Sequence, residues 1–401
     1  MVDKCFLFVP IGAIPEPEEL KKIVILCDGT WNRVDSTTPT NVVRLGQLLR
    51  PTNATGVHQI PIYVQGVGTA QGVGRVSSFA ERWLGGMFGL GLYRNLIDAY
   101  IKLTFMYEPG DEIFIFGFSR GAFTARSLTG FIRATGIIPR DSLHLLPRAI
   151  ARYQDKTRGK KTHPSSDESH AFRLETSPFI ATSEKEVSWR ETQGKAAPTL
   201  LRISYLGVWD SVGALGVPRY LSVAPLLNGK KYDFHDASLS SMVKAARHAV
   251  ALDERRRSFE PTRWDNVRDL NAEQGDDSLP YQELYFVGDH GSVGGGGDIV
   301  DLSSIALGWI AEGAQQAGLA LQEKDLAAIR KAENFRGPIH NSLSAPGLVT
   351  KLMRNFGMDR KGPDTVDELH PSVFARWKAD KAYRPGSLAH LKTQLDVLSQ
   401  R

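Results

Sequence analysis

The sequence predicts an α/β protein: a mainly parallel sheet with helices on both faces, plus insertions and a C-terminal extension. Three observations predict it. Strand-like and helix-like stretches alternate through most of the first 316 residues, which favours parallel strands joined by helical crossovers. The apolar run Ile113-Phe114-Ile115-Phe116 meets Gly117-Phe118-Ser119-Arg120-Gly121 and passes into a small-residue helix start. Two later strand-like runs end in Asp210 and His290, each followed by a glycine-containing loop.

The elements follow in order. Lys21–Asp28 is apolar and β-branched and ends in the turn Gly29-Thr30-Trp31-Asn32, so it reads as a strand. Asn41–Leu49 has helical spacing. Ile60–Val64 is a second strand and Gly89–Tyr107 a long amphipathic helix leading to the run at 113–116. A helix over 120–133 and another near Ser142–Tyr153 come next. Lys156 to Gly194 is polar and almost free of periodicity, and reads as a surface insertion or mobile loop. Leu200–Trp209 is a strand. Gly216 to Asp236 mixes Pro and Gly with an apolar patch, as a lid would. Ser240–Asp253 reads as helix, Glu283–Val287 as strand and Ser303–Gln316 as helix.

The chain has 401 residues, 42% of them hydrophobic and 23% charged, which is ordinary globular composition with length for a sizeable core. The expected organisation is an extension over 1–20, a catalytic domain over 21–333 with the insertion at about 156–194 and the lid at about 216–236, and an extension over 334–401 packed on the core. Two cysteines, Cys5 and Cys27, make no disulfide framework, and Cys27 belongs to a buried strand. The net charge of +5 is scattered, with clusters at Arg255-Arg256-Arg257 and Arg158 to Lys161. No basic tract interleaved with aromatics points to nucleic acid. Transient contact with an anionic membrane surface is compatible with the charge. The N-terminal stretch Cys5 to Ile14 is not of signal-peptide form, and no apolar run is long enough to span a bilayer. The expected location is cytoplasmic, or outside the cell by a signal-independent route.

Gly117 to Gly121 has the layout of a nucleophile elbow, strand then sharp turn then helix, which makes the expected fold α/β-hydrolase-like. The glycines leave room around a strained turn, and Ser119 Oγ is lifted above the sheet edge. A serine hydroxyl needs a base, and the base needs an orienting acid. In this fold the chain order is Ser, acid, His. Asp210 and His290 occupy those places, so Ser119 is the expected nucleophile, His290 the general base and Asp210 its orienting group. The Arg120 N–H is an expected oxyanion donor, with Gly29 or Thr30 in the loop after the first strand as the second. No cofactor is required. Apolar stretches at Trp83–Leu92 and Val217–Leu227 are candidates for an acyl pocket. The Arg255–Arg257 cluster reads as a solvated basic group combined with an ion pair to a buried acid.

Three alternatives compete. Asp28-Gly29-Thr30 after an apolar strand suggests a haloacid-dehalogenase-type phosphatase, but Leu26 occupies the position of its nucleophile. Asp289, His290, Asp298 and Asp301 could gather a divalent cation for a metal-dependent hydrolase. The fold could also serve as a non-catalytic interaction module.

The stretches ILCDGTWN (25–32), PTNVVRL (39–45), YEPGDEIFIFGFSRGAFTAR (107–126), GVWDSVGALG (207–216), ALDERRRSFEP (251–261) and GDHGSVGGGG (288–297) resemble the uncharacterised α/β-hydrolase family that supplies the catalytic module of type VI secretion phospholipase effectors. The resemblance covers roughly residues 21–300. It implies a bacterial lipolytic esterase with Ser119, Asp210 and His290 as its triad, acting on a small-molecule or lipid ester such as a phospholipid. Two departures accompany it. Ser292 stands two residues after His290, where the effectors carry an acid, and a large region that effectors use to engage membranes has no counterpart here.

Overall fold

The computed structural model describes residues 20–29, 32–66, 87–155, 159–213, 238–275, 279–343 and 357–400. Six parallel strands form the central sheet: β1 (Lys22–Cys27), β2 (Gln59–Val64), β3 (Glu112–Phe118), β6 (Ile203–Trp209), β7 (Ala246–Ala251) and β8 (Tyr281–Phe286), in the order β2-β1-β3-β6-β7-β8. A separate pair, β4 (Ile180–Ala181) and β5 (Thr199–Leu200), lies apart from it. The α/β class expected from the sequence is the one observed.

Strand alternation divides the core into two layers. Ile23, Ile25, Ile113 and Ile115 point to one face and pack with Leu96, Tyr100 and Leu103 of helix α2 (Met87–Met106) and Ala125, Leu128 and Phe131 of α3 (Arg120–Thr135). Val24, Leu26, Phe114 and Phe116 point to the other and pack with Val42, Leu45 and Leu48 of α1 (Asn41–Leu48) and Leu302, Ile305 and Ile310 of helix Asp301–Gln316. Residues beyond 334 join this second layer through Val373, Trp377, Leu388 and Leu395. Covering both faces is what lets an all-parallel sheet exist in water.

The connections reverse direction at β1: β2 lies on one side of it and β3 on the other. Ligand crevices in such sheets form beyond the strand C-termini at the reversal. Asp28 and Gly29 leave β1 there, and Ser119 leaves β3 beside them.

Two expectations are corrected. Ser240–Asp253 is not a helix: Ala246–Ala251 is the fully buried strand β7, between β6 and β8. Its alanines satisfy helix propensity, and a parallel strand covered on both faces shows no polar–apolar alternation that would mark it as a strand. The segment 156–194 is not a structureless loop either. It contains the helices α5 (Asp167–Thr176) and α6 (Glu184–Thr192), started by Ser166 and Ser183 side chains. Glu186 of α6 binds Arg173 at 2.7 Å and Arg190 at 2.6 Å, all three side chains fully buried. The polarity that reads as solvated is an internal ion cluster.

The stretch Ser142–Tyr153 divides into a 3-10 turn over Arg140–Leu145 and a helix over Leu146–Gln154. The expected lid and the acyl-pocket stretch 217–227 lie outside the described residues, as do Thr30 and residues 1–19. No helix among the described residues is long and apolar enough to cross a membrane.

Candidate active site

β3 ends at Phe118 and α3 begins at Arg120, so Ser119 is the turn between them, with φ 58° and ψ −124°. Its flanking glycines are required by contact. A Cβ on Gly117 would lie 2.5 Å from the Gly121 carbonyl oxygen, and one on Gly121 would lie 2.2 Å from that of Cys27. The helix therefore starts against the end of β1, and the first-turn N–H groups of α3 open toward the sheet edge. The Ser119 N–H donates to the Trp209 carbonyl at 3.0 Å, tying the turn to the neighbouring strand end.

Asp210 follows β6 directly and also has positive φ, 36°. Its N–H donates to Ala249 of β7 at 2.7 Å. The next amide, that of Ser211, donates to His248 Nε2 at 3.1 Å, and His248 Nδ1 meets Glu283 Oε2 at 2.8 Å. A buried Glu-His pair thus pins the loop that carries Asp210. His248 does this from β7.

His290 begins a short helix (His290–Gly294) after β8, capped by Asp289 through the Ser292 N–H at 2.9 Å. Its ring lies between Phe118 and Phe259, each with its centroid 4.6 Å away. Its N–H donates to Glu254 at 3.3 Å, and Glu254 pairs with Arg256 at 2.7 Å, so the basic cluster at 255–257 does include an ion pair to a buried acid.

The structure brings Ser119, His290 and Asp210 into one row. His290 Nε2 lies 2.8 Å from Ser119 Oγ, and His290 Nδ1 lies 2.6 Å from Asp210 Oδ2. All three are buried, with Asp210 at 0% exposure, so the row is shielded from bulk water. Burial would raise the Asp210 carboxyl, but the Arg360 charge and the His290 and Arg360 hydrogen bonds outweigh it and hold it well below the carboxylate range. Burial also lowers the His290 imidazole below its ordinary value, against the opposing pull of Asp210.

Arg360 is a residue that sequence reasoning missed. Its Nη1 lies 2.7 Å from Asp210 Oδ1 and its Nη2 2.9 Å from Oδ2. Nothing local in the sequence marks it, because its partner is 150 positions away.

The remaining candidates are placed as follows. Arg120 opens helix α3, so its N–H belongs to the first turn beside Ser119. The Gly29 N–H is turned onto Asp28 Oδ1 at 2.7 Å, which engages the amide expected to serve as second oxyanion donor. Asp28 is buried and also accepts from Thr40 at 2.9 Å and Tyr63 at 2.8 Å. Burial nevertheless pushes its carboxyl up. Close to Gly29 stands Asn32: a Cβ on Gly29 would meet Asn32 Nδ2 at 2.7 Å and Ser119 Cβ at 3.3 Å, so the carboxamide and the serine crowd one point.

The cation alternative is corrected. Asp289, His290, Asp298 and Asp301 do not converge, and the described residues contain no group of three His, Cys, Asp or Glu arranged to hold a metal. Asp289 instead meets His340 Nδ1 at 2.7 Å, Asp298 accepts from the Leu343 N–H and Asp301 from the Asn334 amide.

Residues 21–313 match the family described as "T6SS, Phospholipase effector Tle1-like, catalytic domain", well over half of the chain. The chain belongs to this family. Ser119, Asp210, His290, Gly29 and Asn32 lie inside the matched Tle1-like span, and Arg360 lies beyond it. The uncharacterized protein YEL023C of Saccharomyces cerevisiae is 28% identical over 246 residues, covering 60% of this chain and 32% of its own length. The Tle1-like chain thus spans about a third of that yeast relative. An uncharacterized protein from Pseudomonas aeruginosa has 17% identity and a TM-score of 0.37, over 78% of this chain and 48% of that one. The Tle1 effector bound to the VgrG spike from the Type 6 secretion system also has 17% identity, with a TM-score of 0.34, over 70% and 52%.

Proposed function

We propose that the protein is a serine hydrolase that cleaves carboxylic esters, lipid and phospholipid esters foremost, through an acyl-serine intermediate. The observation that carries this reading is the unbroken row Ser119 Oγ, His290 Nε2, His290 Nδ1, Asp210 Oδ2, with contacts of 2.8 and 2.6 Å. Membership of a phospholipase-effector catalytic family supports the lipid substrate class.

In the proposed reaction His290 Nε2 takes the Ser119 proton as Oγ attacks the ester carbonyl. A tetrahedral oxyanion forms. As it collapses, the C–O bond to the leaving alcohol breaks and the imidazolium returns the proton to that alkoxide. Water, deprotonated by the same imidazole, then attacks the acyl carbonyl; the bond to Ser119 Oγ breaks, the imidazolium returns its proton to that oxygen, and the acid leaves. Asp210 keeps the proton of His290 on Nδ1, so that Nε2 is the basic atom.

The oxyanion needs donors that are in place before the reaction. The Arg120 N–H, at the positive end of α3, is one. For the second we assign Asn32 Nδ2 ahead of the Gly29 amide, because that amide is already engaged by Asp28 while Asn32 Nδ2 and Ser119 Cβ would lie 2.7 and 3.3 Å from a Cβ placed on Gly29. Thr30 stays a candidate from the same loop.

The test is a panel of short- and long-chain acyl esters and phospholipids, with fluorophosphonate labelling, on wild type and Ser119→Ala. Hydrolysis and labelling by wild type alone support the reading. A wild type that neither labels nor hydrolyses any ester leaves the non-catalytic module as the better account.

A further inference from the structure

The carboxylate that orients His290 is saturated with donors. Oδ1 of Asp210 accepts from the Ala251 N–H at 2.9 Å and Arg360 Nη1 at 2.7 Å, while Oδ2 accepts from Arg360 Nη2 at 2.9 Å and meets His290 Nδ1 at 2.6 Å. A carboxylate offers about four lone-pair sites. All are used, so the group can neither rotate nor turn away from the ring.

The guanidinium is itself fixed. Arg360 also donates to the Ala251 and Phe259 carbonyls, and its side chain is 5% exposed. The segment carrying it is zipped onto residues 255–259. The Met358 N–H donates to Arg255 at 3.1 Å, Asp359 pairs with Arg255 at 3.0 Å, and a Cβ on Gly357 would lie 2.2 Å from the Arg255 carbonyl oxygen. The same stretch, 254–259, supplies Glu254 to the His290 backbone and Phe259 to its ring. One short segment from outside the family domain therefore clamps both the acid and the wall of the imidazole.

We propose that residues 357–361 are a working part of the active site, with Arg360 as a positioning residue that fixes Asp210 and keeps His290 neutral to lower pH. The inference rests on the serine-hydrolase reading above. The physics is direct. His290 and Arg360 share Asp210 Oδ2, so protonating the ring places two cations on one oxygen. A like charge at that range disfavours the charged form of the imidazole. The charges acting on the ring directly are Asp210, Arg256 and Glu254, the last two paired with each other, and Arg360 acts on it through Asp210. Asp289, the residue before it, is held by the Ser292 N–H and His340. Arg360 is therefore the cation in direct contact with the carboxylate that the ring uses.

The rate constant for fluorophosphonate labelling of Ser119, measured against pH, tests this without a known substrate. Arg360→Gln is expected to move the acid limb up by about one pH unit, since one charge of this kind shifts a neighbour by about that much. Arg360→Lys keeps the charge but not the two-pronged grip, so its limb stays and its plateau falls. Methylguanidinium at millimolar concentration should restore labelling to Arg360→Ala. A limb for Arg360→Gln superimposed on wild type, with labelling lost only in proportion to the folded fraction, overturns the inference. If the Gln variant does not fold, the Lys variant decides: an unmoved limb with a lower plateau supports the role, and a wild-type plateau overturns it. A wild type that does not label overturns the hydrolase reading itself, whereas normal labelling with an unmoved Arg360→Gln limb overturns only the role of Arg360.

Discussion

Ser119 and Asp210 stand side by side at the ends of paired strands, Phe118 opposite Trp209, and they are the only non-glycine residues with positive φ among those described. Each such residue costs on the order of 1 kcal/mol or more and persists because its surroundings dictate it. The Ser119 turn is dictated by the contact of Gly121 with β1 and by the hydrogen bond to Trp209. Both Ser119→Ala and Ser119→Gly remove the hydroxyl and its bond to His290, but only glycine relieves the backbone. Ser119→Gly is therefore expected to be more stable than Ser119→Ala by about 1 kcal/mol, while both lack esterase activity. Urea denaturation of the two variants measures the difference. Equal stabilities would mean that the turn holds no strain.

If Asn32 Nδ2 stabilises the oxyanion, its contribution exists only once the carbonyl carbon has become tetrahedral. Asn32→Leu is expected to lower kcat about a hundredfold and to leave KM for a short-chain ester nearly unchanged. A loss confined to KM would assign Asn32 to substrate binding instead. An unchanged kcat would return the second donor to the loop backbone at Gly29 and Thr30.

Only neutral His290 can accept the Ser119 proton. Burial, the largest influence on its ring, lowers it from 6.5, and Asp210 opposes without reversing the direction. The acid limb of kcat/KM should then lie below pH 6.5. The same shift has a sign for stability. Between the folded and unfolded values the unfolded chain binds more protons, so His290 contributes stability above 6.5 that is lost as pH falls toward its folded value. His290→Gln should show a shallower loss of stability than wild type across that window, read from denaturation midpoints at successive pH values. A limb above pH 6.5 would show that the ring is protonated more readily than its buried setting implies.

Much of the sheet was legible because its signals are local. Strands β1 and β3 are compact apolar runs, and Gly117 to Gly121 states the turn geometry outright. That Asp210 and His290 meet Ser119 is legible from chain order and strand ends. What escaped depends on distant partners. Residues 246–251 (ARHAVA) fit a helix or a doubly covered strand equally well, and only the neighbours β6 and β8 decide between them. Arg360 and Asn32 gain their meaning from Asp210 and Ser119 across long sequence separations. In the polar stretch, Ser183-Glu184-Lys185-Glu186 has the spacing of a capping box, a local signal for helix α6 that the expectation of a surface insertion or mobile loop passes over. The low apolar content around it concealed a helix held by buried charge.

That buried charge gives the last prediction. Glu186 is the sole acid between Arg173 and Arg190 in this cluster, and all three side chains are fully buried. It also accepts the Thr182 N–H at 2.9 Å, joining α6 to the strand before it. Glu186→Gln keeps the shape but leaves two guanidinium groups facing each other without a countercharge. Breaking a buried pair in this way costs about 3 kcal/mol or more. The clustered side chains do not touch Ser119, Asp210 or His290, so the expected result is a marked fall in the denaturation midpoint with wild-type fluorophosphonate labelling at low temperature. Replacing all three residues with apolar side chains of similar volume should recover much of the stability, because desolvation of the ions offsets most of their attraction. If Glu186→Gln instead melts like wild type, the helices α5 and α6 are held by their apolar contacts, such as Phe172 with the main core, and the ion cluster adds little.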